Sequence, residues 1–544
     1  MFLRKLGNIS LSSSCLLALV TGYFALVLNY PFYRQLLTIH PFTGSSADYF
    51  LLTVPLFVFL VLNAVFQLIA LPWLHRVVIP TLLVLSAMVS YHEIFYGVYF
   101  DSEMLDNVLQ THTSEALHLI TLPYILWVIG IGIVPAVLYC LVKVRYSLWW
   151  LEIAKRIGLV LVSVLLIGLI GKGFYQDYAS IVRNNKPIVH LILPSNIIGA
   201  GVKKIKSEYN ANREFIQLGL NAKQAKPDHF RHVTIVVMGE TTRAQNWGLN
   251  GYARQTTPLL AKRQDIVNFT NVSSCGTSTA YSVPCLFSHL PQKSFNNNQA
   301  PYQDNLLDIL QRAGVKVTWF DNDAGCKGVC NRVENHDMTA LNLAKYCKNG
   351  ECLDEILFED LDKTLQQSQQ DSLIVLHTMG SHGPTYYQRY PQQYRQFTPT
   401  CDTNEINQCS DQQLVNTYDN TILYVDYIVN KAIDYLAQQP EWESSLIYLS
   451  DHGESLGENG LYLHSAPYAI APEQQTKVPM VMWFSEKWRA NEKLSLDCLQ
   501  QLAQSQSFSH DNFFHTVFAL LDMDLSLDLY QPQLDIVSQC KHKD

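Results

Sequence analysis

The sequence predicts an N-terminal transmembrane domain of five helices followed by an α/β domain. Two observations carry this expectation. Long uncharged runs fill the first third of the 544 residues, and from residue 232 onward strand-like and helix-like patterns alternate. Composition agrees: 48% of residues are hydrophobic and only 16% charged, too apolar for a chain surrounded wholly by water.

The spans come first. Residues 11–31, 49–74 and 120–142 contain no Asp, Glu, Lys or Arg, and each is long enough to cross a hydrocarbon core of roughly 30 Å. Residues 77–100 are similar apart from His92 and Glu93, and residues 157–171 form a shorter core that needs its flanks to span. No small-x-small cleavage site follows the first run and four further apolar runs come after it, so a cleaved signal peptide is rejected. Arg4, Lys5, Arg76, Lys143, Arg145, Lys155 and Arg156 fall on one side of the spans, while the opposite loops hold only Arg34. The positive-inside rule then puts the N-terminus in the cytoplasm and everything after about residue 175 outside. The transmembrane domain is read as 1–175 and a linker as 176–230, its Lys203, Lys204, Lys206 and Arg213 alternating with Ile205, Phe215 and Ile216 as in a membrane-surface amphipathic helix. A plain solvated connector fits the same residues.

The outer domain, 231–544, holds the remaining chemistry. Candidate strands are Val233–Met238, Val315–Phe320, Leu373–His377, Leu446–Leu449 and Pro479–Phe484, with helical patterns at 303–313, 353–367 and 411–438. This alternation predicts a mainly parallel sheet with helices on both faces. Ten of the twelve cysteines lie beyond residue 270. Cys275/Cys285, Cys326/Cys330, Cys347/Cys352 and Cys401/Cys409 are close pairs, with Cys498 and Cys540 left over. Short disulfide-closed loops fit an oxidising compartment, although spacing alone does not fix connectivity. A zinc ribbon would need further paired ligands that the sequence lacks. No basic stripe or nucleic-acid motif occurs, so nucleic acid is not an expected partner.

Open α/β sheets place their chemistry at the carboxyl ends of strands. Asp451-His452 follows the apolar run 445–449 and offers a carboxylate and an imidazole for a divalent cation; a metal-free Asp-His-Gly turn is the alternative. Glu240 follows Val233–Gly239 and is either a metal ligand or an ordinary first-turn acid. Cys275-Gly276-Thr277-Ser278-Thr279, closed off by Cys285, is rich in hydroxyls at a helix start. It could position a nucleophile and offer N–H groups to a phosphate, or simply cap a helix. Lys327, His382 and His464 are candidate substrate binders. Together, Glu240, Thr279, Asp451 and His452 make an oxygen-and-nitrogen metal site with a hydroxyl at one corner, the arrangement that turns a weakly nucleophilic Thr into a usable one.

Gly239-Glu240-Thr241, the 246–252 segment Asn-Trp-Gly-Leu-Asn-Gly-Tyr, the 275–279 segment, Ser381-His382-Gly383-Pro384 and the 450–455 segment Ser-Asp-His-Gly-Glu-Ser resemble the lipid A phosphoethanolamine transferases. That family includes the mobile colistin-resistance enzymes and belongs to the alkaline phosphatase and sulfatase superfamily. The resemblance covers nearly the whole chain. It implies an alkaline phosphatase/sulfatase-like periplasmic domain anchored in the bacterial inner membrane, and Thr279 as the nucleophile that carries phosphoethanolamine. It further implies a catalytic Zn2+ on Glu240, Thr279, Asp451 and His452, with His382 and His464 contacting the phosphoethanolamine group or a second zinc. Lys327 and Thr277 would hold the phosphate, and Asn107 and Glu115 would touch the donor lipid. Asp323-Ala324 departs from the polar neutral residues of some relatives, so contacts around Lys327 are expected to differ.

The implied reaction takes phosphoethanolamine from phosphatidylethanolamine, releases diacylglycerol, and passes the group to a lipid A phosphate, all within a monomer. Masking a phosphate and adding an ammonium weakens attraction for cationic peptides such as polymyxin. Transfer to core sugars of lipopolysaccharide, or of phosphoglycerol to another glycan, would use the same residues. A formylglycine sulfatase would need a Cys- or Ser-x-Pro-x-Arg motif, absent from 275–279. A transporter or sensor with a non-catalytic outer domain would rest on His92-Glu93.

Overall fold

The computed structural model describes residues 9–541 apart from 45–47, 70, 112, 210–213, 226–229, 349, 525 and 527. It divides into two compact units: residues 1–105 with 120–205, and residues 106–119 with 206–544. The second unit is therefore discontinuous in sequence.

Among the described residues of the first unit, four helices are long and apolar enough to cross a membrane: Tyr49–Ile69, His75–Phe95, Leu122–Leu141 and Trp149–Phe174. Ser13–Leu28 and Tyr30–Ile39 form a pair bent by 47° and make a fifth when counted as one span. The bend falls at Asn29, just before Pro31. The Asn29 amide donates to the carbonyls of Phe24 and Leu193, satisfying backbone oxygens there. The final helix differs from the sequence reading, which took only 157–171 as its core. It begins at Trp149, because Glu152 is buried in a network with Arg156 and Ser13 and the charges are neutralised within the unit. The stretch 176–230 contains the end of that helix, a short 3-10 segment at Lys186–Leu191 and a helix over Ser195–Tyr209.

The second unit is built on an eight-stranded sheet. Its strands are β1 (His232–Gly239), β2 (Ile266–Ser273), β3 (Lys316–Asp321), β4 (Glu334–Asp337), β5 (Ser372–His377), β6 (Glu443–Ser450), β7 (Lys477–Phe484) and β8 (Phe508–Ser509). The spatial order is β8-β2-β7-β6-β1-β5-β3-β4. β6, β1, β5, β3 and β4 run parallel, and β7 is antiparallel to both its neighbours. Every residue of β1, β5 and β6 is buried, the mark of strands covered on both faces. Helix α3 (Asp411–Ala437) packs over β1 and β6; it is headed by a Ser410/Gln413 capping box, and its Tyr418 hydroxyl donates to the Thr241 carbonyl just past β1. Helices α1 (Thr113–Leu119) and α2 (Thr279–Leu286) belong to the same unit.

Three strands carry no clear sequence signal, among them the two-residue β8. β2 reads Ile-Val-Asn-Phe-Thr-Asn-Val-Ser, its apolar residues interrupted by Asn and Thr, while β4 is the exposed, wholly polar edge strand Glu-Asn-His-Asp. Disulfides join Cys275–Cys285, Cys326–Cys330, Cys347–Cys352, Cys401–Cys409 and Cys498–Cys540, all in the second unit.

Candidate active site

The site forms where β1 and β6 end together. Register pairs Ser450 with Gly239, and the Asp451 N–H donates to the Gly239 carbonyl at 2.9 Å. The next residue on each strand, Glu240 and Asp451, therefore leaves the sheet side by side. The loop after β5 closes over them. Gly380 sits at φ +51°, and a Cβ there would lie 2.6 Å from the Glu240 carbonyl, so only glycine permits the approach.

Thr279 opens α2, and the Cys275–Cys285 disulfide ties the loop before this helix to its last turn. Its hydroxyl donates to Glu240 Oε2 at 3.1 Å and lies 3.4 Å from His452 Nε2. His452 Nε2 is 3.4 Å from both Glu240 Oε1 and Asp451 Oδ2. Its other nitrogen, Nδ1, donates to the Gly453 carbonyl at 2.9 Å, leaving the Nε2 lone pair aimed at the carboxylates. His510 braces this corner: Nε2 donates to the Ser450 carbonyl and Nδ1 accepts from the Cys275 N–H, linking the end of β6 to the nucleophile loop.

The ligand atoms of Glu240, Asp451 and His452 lie within 4.8 Å of one another, and all three residues are fully buried. Asp451 Oδ1 is satisfied by the N–H groups of Thr241 and His452. Asp451 Oδ2 and Glu240 Oε1 have no hydrogen-bond partner among the described residues. Burial, then the neighbouring Asp451 and Asp323 carboxylates, push Glu240 well above the usual carboxylate range. Burial pulls His452 below the ordinary imidazole value despite the opposing pull of Asp451. Two orphaned carboxylate oxygens facing a neutral imidazole constitute a cradle for a divalent cation; without one, such groups would be costly to bury.

A second wall faces this cradle. The His464 ring lies 4.6 Å from His452 and 5.3 Å from His382, centroid to centroid. Glu454 fixes His464 by accepting from Nδ1 at 2.9 Å, and it also accepts from the Tyr386 hydroxyl. His382 is held well below the ordinary imidazole value by burial and by the nearby His464 and Arg389. Lys327 sits at φ +50° inside the Cys326–Cys330 loop with its ammonium on the Ala324 carbonyl. The Thr277 hydroxyl donates to the Ala466 carbonyl and the Ser465 N–H donates to the Thr277 carbonyl, joining the nucleophile loop to the His464 loop. Asn107 Nδ2 donates to Ser465 Oγ at 3.4 Å. The Glu115 side chain lies outside the described residues.

Sequence reasoning missed a buried group behind Glu240. His377 Nδ1 contacts Asp321 Oδ2 at 3.0 Å, and His377 Nε2 lies 3.7 Å from Asp323 Oδ2. Burial would lower His377, but Asp321 and Asp323 outweigh it and raise the imidazole. As the last residue of an apolar strand, His377 reads as core, and no local pattern marks it.

Two family models match the chain: "Phosphoethanolamine transferase EptA/EptB" over residues 58–209 and "Sulfatase" over residues 232–523. The phosphoethanolamine transferase EptA of Escherichia coli K12 is 44% identical over 99% of both chains. The chain belongs to the phosphoethanolamine transferase family. The phosphatidylethanolamine transferase Mcr-1 of Escherichia coli is 35% identical over 94% of this chain and 96% of its own. The integral membrane lipooligosaccharide phosphoethanolamine transferase A from Neisseria meningitidis superposes with a TM-score of 0.96 at 52% identity, covering 98% of this chain and all of that one. Like that family member, this protein pairs a transmembrane domain with a sulfatase-like periplasmic domain.

Proposed function

We propose that this protein transfers phosphoethanolamine from phosphatidylethanolamine to a phosphate of lipid A through a phosphothreonine on Thr279. The carrying observation is the Thr279 hydroxyl, buried against Glu240 Oε2 and His452 Nε2 beside two orphaned carboxylate oxygens. The setting is the inner membrane, with residues 176–230 connecting the spans to a periplasmic catalytic domain over 231–544 that works as a monomer.

Glu240, Asp451, His452 and Thr279 would hold the zinc, which when bound supplies Lewis-acid chemistry by favouring the alkoxide form of Thr279 and offsetting charge on the phosphoryl group. The chain's own residues do the rest. Thr279 Oγ1 forms a bond to phosphorus as the bond from phosphorus to the glycerol oxygen breaks, and the hydroxyl proton ends on the departing diacylglycerol. The oxygen of a lipid A phosphate hydroxyl then bonds to the same phosphorus, the bond to Oγ1 breaks, and the proton displaced from that hydroxyl passes to Thr279 Oγ1. Lys327, Thr277, His382 and His464 hold the phosphoethanolamine group between these steps. The neutral state favoured for His382 suits contact with an ammonium-bearing substrate. Glu454 and His464, with Glu454 Oε2 at 2.9 Å from His464 Nδ1, are candidate ligands for a second zinc. Asn107 and Glu115 face the donor lipid in this proposal. The product carries a masked phosphate and lowers affinity for polymyxin.

Expression of the chain and of Thr279→Ala in a polymyxin-sensitive Gram-negative host, followed by mass spectrometry of extracted lipid A, tests the assignment. A phosphoethanolamine adduct made only by the unaltered chain is expected. Unmodified lipid A with an adduct on core sugars would move the acceptor, and an adduct that survives Thr279→Ala would overturn the mechanism.

A further inference from the structure

Residues 106–119 join the second and third of the four long apolar helices in sequence, yet they belong to the catalytic unit. Their docking has a specific polar anchor. His118 Nε2, near the end of α1, lies 3.1 Å from Glu351 Oε1. The same carboxylate grips Arg389 in a fork, with Nη1 to Oε2 at 2.9 Å and Nη2 to Oε1 at 3.3 Å. Arg389 spends its remaining donors on the loop after β5: Nε donates to the His382 carbonyl at 2.9 Å and Nη2 to the Thr385 hydroxyl at 2.8 Å. Asn404 donates to the His118 carbonyl and holds the helix end from the other side.

We infer that His118, Glu351 and Arg389 form a positioning relay through which the 106–119 segment sets the placement of His382. The inference rests on the proposed contact of His382 with the phosphoethanolamine group. Each link is short and directional. Glu351 and Arg389 are almost wholly buried, at 7% and 3% side-chain exposure, so neither can exchange its partner for water. Although burial opposes it, the His118 and Arg389 contacts hold Glu351 at about 2, so the carboxylate stays ionised. His118 is the accessible end, at 20% exposure. Removing it leaves the Arg389–Glu351 fork intact but takes away one of the two side chains that hold the Glu351 carboxylate. The segment also reaches the opposite wall, through Asn107 on Ser465, the residue next to His464. A donor lipid engaging 106–119 would thus act on the loops that carry both histidines.

The test uses the full chain in phosphatidylethanolamine vesicles and follows diacylglycerol release together with hydrogen exchange across residues 381–390. His118→Ala is expected to lower kcat about tenfold, as for loss of one hydrogen bond to a charged group, with KM and bound zinc unchanged. His118→Gln, which keeps an N–H donor, should recover most of the rate. His118→Ala should add nothing in a His382→Ala background and should speed exchange at 381–390. Glu351→Gln should do the same, and if it fails to fold because a buried Arg is left unpaired, the His118 pair still decides the matter. Unchanged exchange, or full additivity with His382→Ala, overturns the relay. Faster exchange combined with an inert His382→Ala would uphold the mechanical link and sink the substrate role proposed for His382.

Discussion

Glu240, Asp451 and His452 leave the ends of neighbouring strands, whereas Lys327, His382 and His464 ride on loops. The first group is held by the register of β1 and β6 and is fully buried, with two carboxylate oxygens that find no hydrogen-bond partner among the described residues. The second group is held by local bonds: His464 on Glu454, Lys327 on its own loop, His382 through Arg389. Strand ends cannot relax to satisfy orphaned atoms, which is why that half is proposed to hold a cation. Loop groups can shift their partners when a ligand enters, which is why that half is proposed to bind and release substrate.

The sharpest way to break this comparison is Thr279→Ala, which should lower transfer by about a thousandfold or more while the fold persists, as expected for loss of a covalent nucleophile. Product mass spectrometry together with thermal melting checks both halves of that statement. Asp451→Asn and Glu240→Gln come next, with bound zinc falling well below one equivalent by elemental analysis; retention of a full equivalent would show that the strand-end cradle is not the metal site.

Chelation should expose the strand-end half in a pH profile. Glu240 has its pKa raised on folding, so the stability it contributes is present below the unfolded carboxylate value of about 4.3 and is lost progressively as pH rises towards the folded value. His377, raised behind Glu240, loses stability in the same direction as pH rises, so the comparison that isolates Glu240 is with its own Glu240→Gln variant. The metal-free protein should therefore lose more melting temperature from about pH 4 upward than its Glu240→Gln variant, and zinc should remove the difference. A flat metal-free profile would argue that Glu240 is not strained by its neighbours.

The smallest effect belongs to the loop half. Glu454→Gln weakens the support of His464 without touching the cradle, and a drop of about 10- to 100-fold in turnover with one equivalent of zinc retained is expected, the usual range for a partner that orients a functional histidine. Loss of zinc in that variant would merge the two halves.

The sheet core was legible because β1, β5 and β6 each carry a dense apolar stretch and because chemistry gathers where such stretches stop. β2 and β4 were not, since pairing supplied by neighbours can order a polar strand that has no pattern of its own. The final membrane helix read short because Glu152 and Arg156 look like a span boundary, while the fold lets them neutralise each other. His377 was hidden inside an apolar strand, and Glu351 with Arg389 are 38 positions apart with no motif around them. Contacts of that kind exist only once the chain has closed on itself.

The discontinuity of the catalytic unit also sets an order of events during synthesis. Asn107 and its partner Ser465 are separated by 358 residues. At typical translation speeds, roughly 20 to 70 s pass between the emergence of the two. Throughout that interval the 106–119 segment stands without the surface it docks on, and the long apolar helix that ends at Phe174 must be made before that surface exists. The last assembly step of the catalytic unit is therefore a long-range closure onto an older piece of chain, and mutants slow in that closure would betray themselves as proteins cleaved between the two membrane helices that flank it.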